Sequence, residues 1–157
     1  MPIKIGDKAP EFTLKDQNGN DVSLKEFIGK NVVLLFFPLA GSSVCTAEMC
    51  RIRDEMHDYE KLDAQILGIS VDSPFALKMW SEKNNYDFPL LSDFNKDVSA
   101  AYDSLYEIFG AGKYNYKGVS KRSAFVVDKS GKIKYIEICP TPGDQPNYEM
   151  IERALVS

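Results

Sequence analysis

The chain has 157 residues, 44% of them hydrophobic and 27% charged, the composition of an ordinary water-soluble globular protein with room for one sizeable core. A formal charge of -4 offers no basic footprint for nucleic acid or an anionic membrane surface, and no apolar run approaches the ~18 residues of a membrane span. Three cysteines are an odd count, too few for a disulfide scaffold in a chain this long, so the expected setting is a reducing compartment, by default the cytoplasm.

Residues 1–157 read as a single domain. The opening residues Met1 to Lys8 lack the apolar segment of a secretory leader. Phe12-Thr13-Leu14 and Val22-Ser23-Leu24 flank Asn18-Gly19, and together they predict an N-terminal β-hairpin, because both turn residues tolerate positive φ. Ser23 to Gly29 reads as one helical turn ending at a glycine. Val32 to Phe37 is apolar throughout, which predicts a strand buried on both faces. Pro38 ends it, Gly41, Ser42 and Ser43 supply turn and cap chemistry, and a helix is expected from Val44 to Leu62.

A second core strand is expected over Ala64–Val71, then a helix opened by Asp72-Ser73-Pro74, with Phe75, Leu77 and Trp80 as its core residues. Phe88–Leu91 reads as a short strand, Val98–Tyr106 as a short helix, and Gly110 to Val119 as a solvated loop carrying Tyr114 and Tyr116. Ser123–Val127 and Ile133–Ile138 are strands joined by the turn Asp128-Lys129-Ser130-Gly131, and a helix over Asn147–Leu155 closes the chain. Strands alternating with helices, then a hairpin and a final helix, predict an α/β fold with a mixed central sheet flanked by helices.

The long helix carries the chemistry. Cys45 falls in its first turn, where unpaired N–H groups and the positive end of the helix dipole favour a thiolate. Met49, Ile52, Met56 and Tyr59 recur at helical spacing from Cys45, so this cysteine begins the core-facing stripe. A small hydrophobe would serve in the same place, and position alone leaves both readings open. Cys50 lies roughly 140° around the helix from Cys45, and five residues rise ~7.5 Å, so the two sulfurs cannot bond unless the helix unwinds. Ser42 is near enough in sequence to place its hydroxyl beside the sulfur and an incoming oxygen, and Pro38 fixes the chain direction without donating a hydrogen bond. His57, the only histidine, reads as solvated helix surface. It lies two turns (~10.5 Å) from Cys50, too far to share a metal ion, so no metal or other cofactor is expected.

Pro38-Leu39-Ala40-Gly41-Ser42-Ser43-Val44-Cys45 resembles the Pro-x-x-x-Thr/Ser-x-x-Cys signature of the peroxiredoxins, thioredoxin-fold thiol peroxidases. Ala9–Leu14, Gly68–Asp72 and Arg122–Asp128 resemble three further strands of that family in register, the last being the one that carries its active-site arginine. Serine stands at Ser42 where threonine is commoner, which keeps the hydroxyl and loses the methyl that restricts its rotamer.

The resemblance implies a thioredoxin-like fold and reduction of hydrogen peroxide and organic hydroperoxides, with Cys45 as the peroxidatic cysteine oxidised to a sulfenic acid. It implies that Arg122 stabilises the thiolate and polarises the peroxide, and that Glu48 orients Arg122; without it, Arg122 reads as a surface charge and Glu48 as a first-turn acid. The Cys-x-x-x-x-Cys spacing is similar to the bacterioferritin-comigratory-protein branch, in which the second cysteine, here Cys50, resolves the sulfenic acid to an intramolecular disulfide. The segment Pro146-Asn147-Tyr148-Glu149 looks closer to the alkyl hydroperoxide reductase E-like branch, which commonly uses one cysteine and an external thiol. Cys139 matches no family position and reads as a packing residue, with a reserve resolving role. A thioredoxin- or glutaredoxin-like protein, or a low-molecular-weight thiol, is the implied reductant, and a homodimer is compatible with the pattern. The competing function is a peroxide sensor or redox-switched holdase.

Overall fold

A computed structural model describes residues 2–157. Its strands and helices in order are β1 (Thr13–Lys15), β2 (Asp21–Ser23), β3 (Asn31–Phe36), α1 (Ser43–Asp54), α2 (Met56–Lys61), β4 (Ala64–Ser70), α3 (Pro74–Asn84), β5 (Leu90–Ser92), α4 (Asp97–Ala101), β6 (Leu105–Tyr106), β7 (Val119–Ser120), β8 (Ser123–Val127), β9 (Ile133–Ile138) and α5 (Tyr148–Val156). Leu24–Phe27 is a 3-10 turn, capped reciprocally by the Ser23 and Glu26 side chains.

Seven strands form one mixed sheet in the order β2-β1-β5-β4-β3-β8-β9. The strands β3, β4 and β5 are parallel, whereas β8 runs antiparallel to β3, and β1 antiparallel to β5. Every residue of β3 is buried, as expected of a central strand covered on both faces. Its alternate side chains feed two cores. Val33 and Leu35 join Phe37, Cys45, Met49, Ile52, Leu77, Trp80 and Ile151 beneath α1, α3 and α5. Val32, Leu34 and Phe36 face the other way, with Phe12, Leu24, Val98 and Tyr102.

Four expectations need correction. The helix expected over Val44–Leu62 breaks at Glu55, whose backbone (φ -101°, ψ 9°) leaves helical geometry although no glycine or proline stands there. The expected helix Val98–Tyr106 ends at Ala101; Asp103 takes φ 54°, and Leu105–Tyr106 instead pairs with Val119–Ser120. Phe75 is not a core residue: it follows Pro74 at the start of α3 and is 80% exposed, while Leu77 and Trp80 are buried. The hairpin forms, but its turn spans five residues, with the Asp16 carboxylate accepting from the Asn18 and Asn20 N–H groups and only Gly19 of the Asn-Gly pair at positive φ.

Candidate active site

Three elements converge on Cys45. The end of β3 delivers the chain to Pro38, which is buried, and the loop that follows is pinned from the next strand: the Ala40 N–H donates to the Asp72 carboxylate at 2.8 Å. The Ser70 hydroxyl donates to the same carboxylate oxygen at 2.7 Å. Gly41 turns the loop at φ 89°, a conformation that disfavours any side chain, and Ser42 takes the N-cap position of α1 without a side-chain capping bond. The Ser42 side chain is exposed, and its hydroxyl donates to the Leu39 carbonyl at 2.9 Å, within its own turn. Cys45 lies in the first turn of α1 and is fully buried.

Arg122, one residue before β8, spreads its guanidinium over the site. One terminal nitrogen (Nη1) donates to Glu48 Oε1 at 2.6 Å. The other (Nη2) lies 3.3 Å from Cys45 Sγ and 3.0 Å from the Pro142 carbonyl, which also accepts from Nε at 3.3 Å. Arg122 is 1% exposed and Glu48 is fully buried. Neither is a solvated side chain. The planar fork, with donors on three nitrogens, lets one residue hold an acid, a sulfur and a loop at once.

Burial pushes the Glu48 carboxyl from an ordinary 4.5 up to about 7, against the pull of Arg122, and the nearby Glu137 adds to the rise. Its second oxygen, Oε2, is buried and has no hydrogen-bond partner among the described residues. Arg122 is held more firmly in its charged form: burial alone would lower it, but Glu48 and Cys45 together outweigh that.

The other two cysteines are placed differently. Cys50 is half-buried on the far flank of α1, with its sulfur 3.5 Å from the Tyr86 hydroxyl at the end of α3. Cys139 donates its N–H to the Arg122 carbonyl at 2.9 Å, continuing the β8–β9 ladder, so the two side chains stand side by side on the face turned to α1. Burial and the neighbouring Glu137 and Glu48 push its thiol up to about 11. All three thiols are free. His57 is exposed.

Two contributors escape sequence reasoning. Pro142 acts only through its carbonyl, a group every residue owns. Asp72 reads as part of a helix start, and nothing local reveals that its carboxylate braces a loop thirty-two positions earlier.

A buried cysteine at a helix start, faced by a buried arginine beside a mixed sheet of this order, is the arrangement that the resemblance to the peroxiredoxins implies. The chain belongs to the AhpC/TSA family, whose model matches residues 5–136. Alkyl hydroperoxide reductase E of Mycobacterium tuberculosis is 38% identical across 99% of this chain and 97% of its own. Peroxiredoxin Bcp of Escherichia coli is 38% identical across 86% of this chain and 85% of its own. Among solved structures, Peroxidoxin BcpB from Mycobacterium tuberculosis superposes with a TM-score of 0.81 at 28% identity, covering 98% of this chain and 95% of that one. A peroxiredoxin-like protein from Aquifex aeolicus gives 0.88 at 25% identity, covering 99% and 88%. The protein is a thiol-dependent peroxidase with a thioredoxin-like fold, and a hydroperoxide and a thiol reductant are its two substrates. No helix among the described residues is long and apolar enough to cross a membrane.

Proposed function

We propose that Cys45 is the peroxidatic cysteine of a hydroperoxide reductase acting on hydrogen peroxide and organic hydroperoxides, and that Cys50 resolves the product. The observation that carries this reading is the Arg122 guanidinium 3.3 Å from Cys45 Sγ inside a fully buried site. The Cys45 thiolate attacks one peroxide oxygen, the O–O bond breaks, and the remaining oxygen leaves as hydroxide or alkoxide and takes up a proton. Sulfur has gained the oxygen, as a sulfenic acid, and the peroxide has been reduced. Arg122 stabilises first the sulfur anion and then the charge that builds on the leaving oxygen. Glu48 holds the guanidinium in plane, Pro38 backs the turn, and the Ser42 hydroxyl leaves the Leu39 carbonyl to meet the incoming peroxide.

In the second step the Cys50 thiol attacks the sulfenic sulfur. An S–S bond forms, the S–O bond breaks, and the oxygen leaves as water. A thioredoxin- or glutaredoxin-like dithiol, or a low-molecular-weight thiol, then supplies two electrons to restore both thiols, in a reducing compartment such as the cytoplasm.

A specific observation favours a second reading. Cys50 points to Tyr86 on the α3 side, whereas Cys45 points to Arg122 on the sheet side, and a one-cysteine cycle with an external thiol does not require Cys50 to cross from one side to the other. Steady-state peroxide consumption with a dithiol tests the common core. The parent turns over many times and Cys45→Ser not at all; parental turnover by Cys45→Ser overturns the assignment. A single turnover by the parent would indicate a sensor.

A further inference from the structure

The face of α1 opposite Arg122 is fastened to α3 at Thr46 and Cys50, the very segment that must open if Cys50 is to reach Cys45. The Trp80 indole N–H donates to the Thr46 hydroxyl at 3.2 Å. The Tyr86 hydroxyl lies 3.5 Å from the Thr46 carbonyl and 3.5 Å from Cys50 Sγ. These contacts form one chain: the Cys50 sulfur touches the Tyr86 hydroxyl, and the Tyr86 hydroxyl donates to the carbonyl of the residue next to Cys45. That carbonyl is also the i−4 acceptor for the Cys50 N–H, so the Cys50 backbone and the Tyr86 hydroxyl converge on one atom.

The donors are rigid. Trp80 and Tyr86 are each 6% exposed and meet edge to face at 5.1 Å, with Phe37 packed 5.2 Å from Trp80 and Phe88 stacked 5.5 Å from Tyr86. One turn further along, Arg53 donates to the Asn84 carbonyl at 2.7 Å, which anchors the rest of α1 to α3. Unwinding at residues 45–50 therefore breaks the Trp80 and Tyr86 contacts and leaves the Arg53 contact intact.

We propose that Trp80 and Tyr86 are positioning residues that latch the first turns of α1, and that the strength of this latch sets how long the Cys45 sulfenic acid survives before Cys50 captures it. A tight latch prolongs the sulfenic acid and exposes it to a second peroxide, with oxidation to sulfinic acid. A loose one shortens its life. The kinetic half of this inference rests on the resolving role proposed for Cys50; the latch itself does not.

Thr46→Val removes the hydroxyl that accepts from Trp80, and Tyr86→Phe removes the hydroxyl that meets the Thr46 carbonyl and Cys50, each with little change of shape. Stopped-flow emission from Trp80, the only tryptophan, follows both steps. The expected result is a peroxide-dependent phase at the parental rate, and a peroxide-independent phase about five-fold faster, as the loss of one hydrogen bond allows. Less sulfinic acid accumulates at high peroxide. Thr46→Ser keeps the hydroxyl and restores the parental rate. In the reduced protein, amide hydrogen exchange at residues 46–50 accelerates by a similar factor in Thr46→Val and Tyr86→Phe. If exchange there and the slow phase both stay at parental values in these variants, the latch is refuted. If the parent forms no Cys45–Cys50 disulfide, the resolving role fails, and hydrogen exchange alone decides the latch.

Discussion

Glu48 sits where a carboxylate is poorly solvated, with one oxygen on Arg122 and the other without a partner among the described residues. Its carboxyl rises from 4.5 to about 7 in the folded protein, so between those values the folded state holds a proton the unfolded state has lost. Stability attributable to Glu48 is therefore present below pH 4.5 and falls as pH rises to about 7. Urea unfolding of the reduced parent should show this decline, and Glu48→Gln should abolish it; an unchanged slope in the variant would mean that the carboxyl is not desolvated as its burial indicates. Arg122 makes a second residue-scale prediction. Lysine carries the charge but cannot hold Glu48, Cys45 and the Pro142 carbonyl together, so Arg122→Lys should lower kcat/KM for peroxide by about 100-fold or more. Rapid-mixing kinetics check it, and a loss under about three-fold would remove Arg122 from the reaction. Of these residues only Cys45 carries a local signal, its place after a capped turn. An arginine before a strand normally reads as surface, and Arg122 is legible in the sequence through family resemblance alone.

At the scale of elements, β3 is legible because burial on both faces leaves no polar residue in it after Asn31, and β8 and β9 because β-branched and aromatic runs flank an Asp-Lys-Ser-Gly turn. The failures share a cause. Leu105–Tyr106 becomes a strand because Val119–Ser120 pairs with it, Leu105 opposite Ser120 and Tyr106 opposite Val119, a contact that local periodicity does not contain. Glu55 breaks the long helix without any breaker residue. Phe75 is apolar yet faces water, because the buried stripe of α3 is set by Leu77, Trp80 and Ser81. Gly68 shows how closely the elements meet below the site. A Cβ there would come within 2.8 Å of Leu90 Cδ2, 3.4 Å of Phe37 and 3.7 Å of the Met49 sulfur. Leu90, Phe37 and Met49 are fully buried, so Gly68→Ala should cost about 1–3 kcal/mol by overpacking, read as a lower denaturant midpoint at unchanged m-value. A neutral outcome would show that β4 and α1 pack with slack.

For the whole molecule, the alternation of strands and helices indicates a mixed α/β sheet, and the family match fixes its thioredoxin-like order. What no sequence pattern contains is how α1 divides its allegiance. Its Cys45 and Glu48 face is held by Arg122 on the sheet, and its Thr46 and Cys50 face by Trp80 and Tyr86. In the proposed cycle, peroxide reduction needs the first set of contacts intact, and resolution by Cys50 needs the second released. The measurement that tests this account most directly is peptide mass mapping of the alkylated, unreduced protein after one equivalent of peroxide. A Cys45–Cys50 disulfide is the predicted product. Cys45 recovered as sulfenic or sulfinic acid with Cys50 alkylated, or linked instead to Cys139, would contradict it.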